Sequence, residues 1–397
     1  MSTALPSPVT VWPPTAQTTL PKSADATLVG RVYGPQGPSV VTVRGGELID
    51  ISTVFPTMRD LGEHPEPAAA VRAADGPVLA TVDETLAGTP VERRTEGAPR
   101  LLSPIDLQAV KAAGVTFTVS MVERVIEERC GGDPGRADQM RAELADLVGT
   151  DFADLRPGSP ATARLKDALM AEGAWSQYLE VGLGPDAEIF TKTSPMATVG
   201  TAVDVGLHPR SSWNNPEPEV VLLVSSAGRI IGATLGNDVN LRDFEGRSAL
   251  LLTKAKDNNA SAALGPFIRL FDDGFGLADV RSTEVQLRVE GTDGFVLDGS
   301  SSMRFISRDP EDLVAQLMGA HHQYPDGSVL FLGTMFAPVQ DRGEPGLGFT
   351  HHIDDLVAIS APELGALVNR VRTSDNCEPW TFGTADLMRN LAGRGLL

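Results

Sequence analysis

Apolar positions along this chain recur at two spacings, and the change from one to the other divides it into segments. From Leu28 the runs are short and strand-like: Leu28-Val-Gly-Arg-Val-Tyr33, Val40-Val-Thr-Val43 and Leu48-Ile-Asp-Ile51. The last two flank Arg44-Gly-Gly-Glu47, a tight turn that favours a hairpin. Ser103-Pro-Ile-Asp106 then reads as a helix start, with a capping Ser, Pro at the first helical position and an acid in the first turn. The spacing predicts helices over residues 104–113, 116–130, 138–148 and 162–172, with Gly114 between the first two. Strand-like runs return from Ile189 to Asn369. The expected class is α+β: a Pro-rich arm over residues 1–26, a small N-terminal β-domain over 27–100 ending in the linker-like stretch Arg93–Pro99, and a catalytic domain over 101–397, helical over 101–180 and mainly β over 185–397.

Charge narrows the function. The 397 residues carry a formal charge of −19, which argues against a nucleic-acid partner, since phosphate binding needs a positive surface. An anionic substrate would need a local cation inside this acidic body, and a divalent metal would supply one. The two cysteines, Cys130 and Cys377, have no CxxC spacing, so a reducing cytoplasm is expected and neither a disulfide framework nor a zinc site. No secretory signal is expected from the N-terminal residues, and no apolar run such as Val220–Val224 is long enough to span a bilayer, so no membrane partner is expected.

The most informative segment is Asn214-Asn-Pro-Glu-Pro-Glu-Val-Val-Leu-Leu-Val224. Glu217 and Glu219 are two apart where a strand begins, so their side chains share a face, and two carboxylates so placed repel unless a cation lies between them. Beyond a hairpin expected at Ala227-Gly-Arg229, the returning strand Ile230–Asp238 could bring Asp238 beside the pair. Three carboxylates with open positions suit Mg²⁺, with Mn²⁺ as the alternative. Taken alone, a Glu-x-Glu pair is the ordinary solvated face of an edge strand.

The surrounding sequence reverses that. Glu217-Pro-Glu219, Gly236-Asn-Asp-Val-Asn-Leu-Arg-Asp243, Lys256 and Leu264-Gly-Pro-Phe-Ile268 resemble the fumarylacetoacetate hydrolase superfamily in order and spacing. Ile189–Ser194, Phe331-Leu-Gly-Thr334 and Glu363–Asn369 extend the match. The resemblance implies a distorted β-roll, a metal held by Glu217, Glu219 and Asp238, and Lys256 pointing at a 2-keto acid or diketone; Lys254 belongs to the solvated face. Hydrolases of the superfamily carry a His–Glu pair on a helix, and this chain has Ser120 where the histidine would stand, with Glu123 retained. Asn259 likewise replaces an Asp of the lysine motif. Both departures disfavour carbon–carbon hydrolysis, since a serine alone is a poor base.

Val115–Glu128, Gly299-Ser-Ser-Ser-Met303 and His321-His-Gln-Tyr-Pro-Asp-Gly327 are instead similar to the branch that dehydrates 2-keto-3-deoxy sugar acids, typified by bacterial 2-keto-3-deoxy-D-xylonate dehydratases. That resemblance implies a hydro-lyase giving 2,5-dioxopentanoate, with Lys256 as base and Glu123 as acid, while Ser120, Lys192, Ser302 and Thr334 orient the substrate. A hydrolase of 2,4-diketo acids is the alternative. A homo-oligomer is expected, and His321-His322 is expected to serve a loop rather than a metal.

Overall fold

The computed structural model describes residues 10–137, 139–140, 156–171, 175–343 and 345–397. Its strands are β1 (Leu28–Gly34), β2 (Gly37–Arg44), β3 (Glu47–Asp50), β4 (Val78–Thr81), β5 (Arg100–Leu101), β6 (Ala109–Ala113), β7 (Ile189–Thr193), β8 (Val203–Leu207) and β9 (Asn214–Asn215). The second half adds β10 (Pro218–Val224), β11 (Ile230–Asp238), β12 (Asn240–Leu241), β13 (Ala262–Leu270), β14 (Glu284–Glu290), β15 (Val296–Ser302), β16 (Ser328–Phe331), β17 (Leu356–Ala361) and β18 (Gly365–Thr373). Two helices frame the site: α1 (Thr118–Cys130) and α2 (Leu252–Lys256).

Among the described residues the strands form an eleven-stranded sheet, ordered β4-β3-β2-β1-β13-β11-β10-β16-β6-β7 with β5 paired to β1, a five-stranded sheet, ordered β15-β14-β17-β18-β8, and a two-stranded pair of β12 and β9. The class is α+β with large sheets, as the sequence predicts. The expected turn at 44–47 joins β2 to β3, and β1, β2 and β3 run antiparallel in succession. These N-terminal strands do not stand apart, because β1 hydrogen-bonds to β13 and continues the larger sheet. Along the described part of the arm, Lys22 N donates to Pro362 O at 3.0 Å and Thr10 N to Glu290 Oε1 at 3.2 Å, tying it to the five-stranded sheet.

The centre of the larger sheet is buried on both faces, which explains the unbroken apolar run of β10. Val220, Leu222 and Val224 join Leu287, Val289 and Ile359 of the second sheet in one core. Val221 and Leu223 face the other way, against Val29, Ile268 and Leu61. Each such side chain contributes about 1.5–3 kcal/mol by leaving water, so β10 is anchored from both sides and holds the acids at its start in place.

The helix expected over 104–113 does not form. Asp106, read as its first-turn acid, instead accepts from Met58 N at 2.7 Å and Arg59 N at 3.2 Å, capping the helix Met58–Glu63. Residues 109–113 become β6, inserted parallel to β16 and antiparallel to β7. Two strand partners satisfy the backbone of this Ala-containing stretch and override its helical propensity. The helix expected over 116–130 is α1, closed by Gly131 at φ 64°. Met121, Val125 and Ile126 bury one stripe of it against Tyr178, Leu179 and Leu183. The helix expected over 162–172 is found at Pro160–Ala171, and most of the one expected over 138–148 lies outside the described residues.

Candidate active site

The hairpin β10–β11 assembles the three acids. Its register pairs Pro218 with Asn237 and Glu219 with Gly236, so Asp238 arrives opposite Glu217, and Asp238 N donates to Glu217 O at 3.1 Å. Glu217 N is held by Asn237 Oδ1 at 3.1 Å. All three carboxyls are buried, and one oxygen from each lies within 4.8 Å of the others. Glu219 is fixed from the far side: Gly333 N donates to its Oε2 at 2.7 Å and Thr334 Oγ1 to its Oε1 at 3.3 Å. Gly333 has φ 103°, a backbone state that L side chains rarely adopt, and that turn aims its N–H at Glu219.

Two lysines close on the same acids. Lys256, at the end of α2, places Nζ 2.6 Å from Glu217 Oε2 and 3.2 Å from Asp238 Oδ2. Lys192, on β7, reaches Asp238 Oδ1 at 2.8 Å and also donates to Val239 O and Lys256 O. Lys254 is exposed, as expected. From α1, Arg124 binds Glu217 Oε1, Glu127 Oε2 at 2.6 Å and Glu245 Oε2 at 3.0 Å; Arg242 lies 3.2 Å from Glu127. These charges set the ionisation of the acids. Burial alone would raise the Glu217 carboxyl, yet Arg124 and Lys256 outweigh it and bring it to about 2. Glu219 is pushed well above the carboxylate range by burial and then by Asp238 and Glu217. Burial works against the Lys256 ammonium, but Asp238 and Glu217 hold it charged.

The donor set fits a hard divalent cation. Six carboxyls (Glu127, Glu188, Glu217, Glu219, Asp238 and Glu245) face four cations (Arg124, Lys192, Arg242 and Lys256), so full ionisation would leave two negative charges in excess in a buried space, and burial with mutual repulsion instead raises Glu127, Glu188 and Glu219. Glu219 in particular stays ionised only if a cation neutralises it. The cavity between Glu217, Asp238, Lys256 and Thr334 measures about 10 Å³, the size of one ion or water, so a larger ligand must displace side chains of its wall.

The wall also holds a residue that the sequence reading passed over. Glu188, just before β7, lines the cavity and is only partly exposed; burial and then Glu245 push its carboxyl up to about 7. Ser120 and Glu123 are buried on α1 but do not line this cavity, whereas Arg124 from the same helix does. Ser302 sits at the end of β15, where its Oγ accepts from Arg304 N at 3.3 Å, and likewise is not part of the cavity wall. His321 and His322 are exposed, and the one metal-competent cluster among the described residues is the acid triad.

Comparison with known proteins gives the same class. Residues 221–372 match the family model described as fumarylacetoacetate (FAA) hydrolase C-terminal. It is 29% identical over 185 residues to the 2-dehydro-3-deoxy-D-arabinonate dehydratase of Saccharolobus solfataricus, a match covering 47% of this chain and 58% of that protein, little over half its length. It is 28% identical over 254 residues to a probable 2-keto-3-deoxyxylonate dehydratase of Haloferax volcanii, covering 59% of this chain and 83% of that one. In three dimensions it shares its fold with a 2-keto-3-deoxy-D-arabinonate dehydratase solved with magnesium and 2,5-dioxopentanoate, with TM-score 0.60 and 20% identity over 87% of this chain and 99% of the other. Among the described residues no helix is long and apolar enough to cross a membrane.

Proposed function

We propose that this chain is a magnesium-dependent hydro-lyase that converts a 2-keto-3-deoxy-pentonate to 2,5-dioxopentanoate. The observation that carries the reading is the buried triad Glu217, Glu219 and Asp238 with Lys256 Nζ 2.6 Å from one member and 3.2 Å from another. The relatives named as dehydratases of such acids support the choice of reaction. No histidine lines the cavity among the described residues, so the base that activates water in the hydrolases has no counterpart there. Mn²⁺ could replace Mg²⁺ on the same oxygens.

Bound among the three carboxylates, the cation would polarise the substrate's keto oxygen and offset the two acids that hold Lys256 charged. With those two acids neutralised, Lys256 Nζ, as the free amine, takes a proton from C3. Glu188, rather than Glu123, stands in the cavity wall with a carboxyl near 7, so it can deliver a proton to the C4 hydroxyl, which leaves as water. Removal of a proton from C5 and return of one to C3 give the C4–C5 enol, which tautomerises to the aldehyde. The carbon skeleton stays whole. Lys192 fixes Asp238, and Thr334 fixes Glu219, so these two position metal ligands.

The test is product analysis by mass after incubation with Mg²⁺ and 2-keto-3-deoxy-D-pentonate. A five-carbon product lighter by one water supports the proposal. Pyruvate with a two-carbon fragment would make the protein an aldolase-type lyase, and turnover of 2,4-diketo acids alone would make it a hydrolase.

A further inference from the structure

A second cavity, lined by arginines, lies away from the acid site. A space of about 170 Å³ opens between β1, the start of β5, the loop 196–200 and the C-terminal segment, with Arg31, Arg94, Arg100, Tyr33, Trp380 and Phe382 in its wall. That three arginines converge here is unexpected in a chain of net charge −19. Two of them are committed. Arg31 Nη1 donates to Ile105 O at 2.6 Å, and Arg94 Nη1 lies 2.5 Å from Glu378 Oε1.

Arg100 is different. Its guanidinium stacks 4.1 Å over the Tyr33 ring, is half-buried, and makes no hydrogen bond or ion pair among the described residues. The acids of the wall are already engaged: Glu378 by Arg94, and Asp204 by Arg370 at 2.8 and 3.2 Å. Burial, and next the charge of Arg94, work against the Arg100 cation. Glu378 acts on Arg100 only from a distance and is paired with Arg94, so the half-buried guanidinium has no contact counter-ion of its own, a cost that a bound anion removes.

The rest of the wall sets the body of such an anion. Tyr33 and Phe382 meet edge to face with centroids 6.0 Å apart, and Trp380 is 48% exposed at the rim, so the lining offers flat apolar surfaces. A cavity of this volume holds roughly one aromatic ring. The wall is also built to stay in place. Asn259 Nδ2 donates to Ser374 O at 3.0 Å and to Glu378 O at 3.1 Å, clamping the C-terminal segment to the turn that follows Lys256. Two carbonyls facing one side chain require an amide donor, which accounts for Asn259 where the superfamily motif has an Asp.

We propose that this cavity is a second ligand site, separate from the acid triad, for a small organic anion with a flat apolar body whose carboxylate or phosphate pairs with Arg100. A polyhydroxylated sugar acid does not match these walls, so the occupant is chemically distinct from the substrate proposed above. Calorimetric titration of the full chain with benzoate and with phenyl phosphate tests the site and separates the two anion chemistries. At least one probe should bind saturably with Kd below about 1 mM, equally in Mg²⁺ and in EDTA. Arg100→Ala should weaken that binding about ten-fold or more, and Trp380→Ala should weaken it while leaving the melting temperature unchanged. The proposal is overturned if neither probe saturates, whether the cavity then proves empty or filled by a second copy. It is equally overturned if Arg100→Ala binds as wild type, or if binding needs the metal.

Discussion

Gly114 leaves its α-carbon bare against the carboxyl of Glu188: a β-carbon there would stand 1.9 Å from Glu188 Oε2. Gly114 N also donates to Glu188 O at 3.1 Å, so the two residues are fixed to each other across the β6–β7 edge. The glycine that reads in sequence as a break between two helices is, in the fold, what admits an acid into the cavity wall.

Gly114→Ala should therefore displace Glu188 and lower kcat with little change in KM, and Glu188→Gln should lower kcat by about 10²–10⁴-fold. A carboxyl near 7 is a proton donor below that pH and ionised above it, so kcat should fall as pH rises through about 7. Steady-state kinetics across pH check this. A wild-type rate in Glu188→Gln would return the acid role to another residue, Glu123 being the next to test.

Metal binding should be visible without turnover. A ligand that binds only the folded state at 100 times its Kd adds about 2.7 kcal/mol, so Mg²⁺ should raise the melting temperature of chelator-treated protein. Asp238→Asn should abolish that rise. Turnover should vanish in EDTA and return with Mg²⁺, and full activity in a metal-free sample would refute the assignment of the triad.

Lys256→Ala should cost about 10²–10⁴-fold in kcat while leaving substrate binding measurable, because a general base acts mainly in the transition state. Retention of most of the wild-type kcat would reduce Lys256 to the counter-ion of Glu217 and Asp238 that it is in this structure.

Asn259→Asp should loosen the C-terminal segment, since a carboxylate would face the carbonyls of Ser374 and Glu378 that the amide now satisfies. The Ser374 contact is part-buried and the Glu378 contact exposed, so losing both costs about 1 kcal/mol. Faster hydrogen exchange over residues 374–382, with the core strands unchanged, is the expected result. Unaltered exchange would show that the clamp is dispensable.

Much of the acid centre was legible in the sequence because it is local. Glu217 and Glu219 share a face through the two-residue period of a strand, and a short turn at 225–229 fixes the register that brings Asp238 back to them. Lys256 and Lys192 were reached through the order of motifs around that hairpin, which survives as chain order whatever the packing. The helix at 118–130 followed from its periodicity.

What depends on distant segments was not legible. Residues 104–113 carry a valid helix-start signature, but a strand slot between β16 and β7, far away in sequence, took five of them. Ser120, Glu123 and Arg124 lie on one helix, and only the rotation of that helix on its Tyr178 and Leu179 contacts decided that Arg124 reaches Glu217. Ser302 sits on the second sheet, whose placement no local pattern encodes. Glu188 looks in sequence like any other surface acid, and its raised proton affinity comes first from burial and then from the charge of Glu245. Periodicity and spacing thus determined the strand pair and its carboxylates, because those act over a few residues. The tertiary structure decided which charges surround them, because desolvation and Coulomb interaction depend on distance in space and not along the chain.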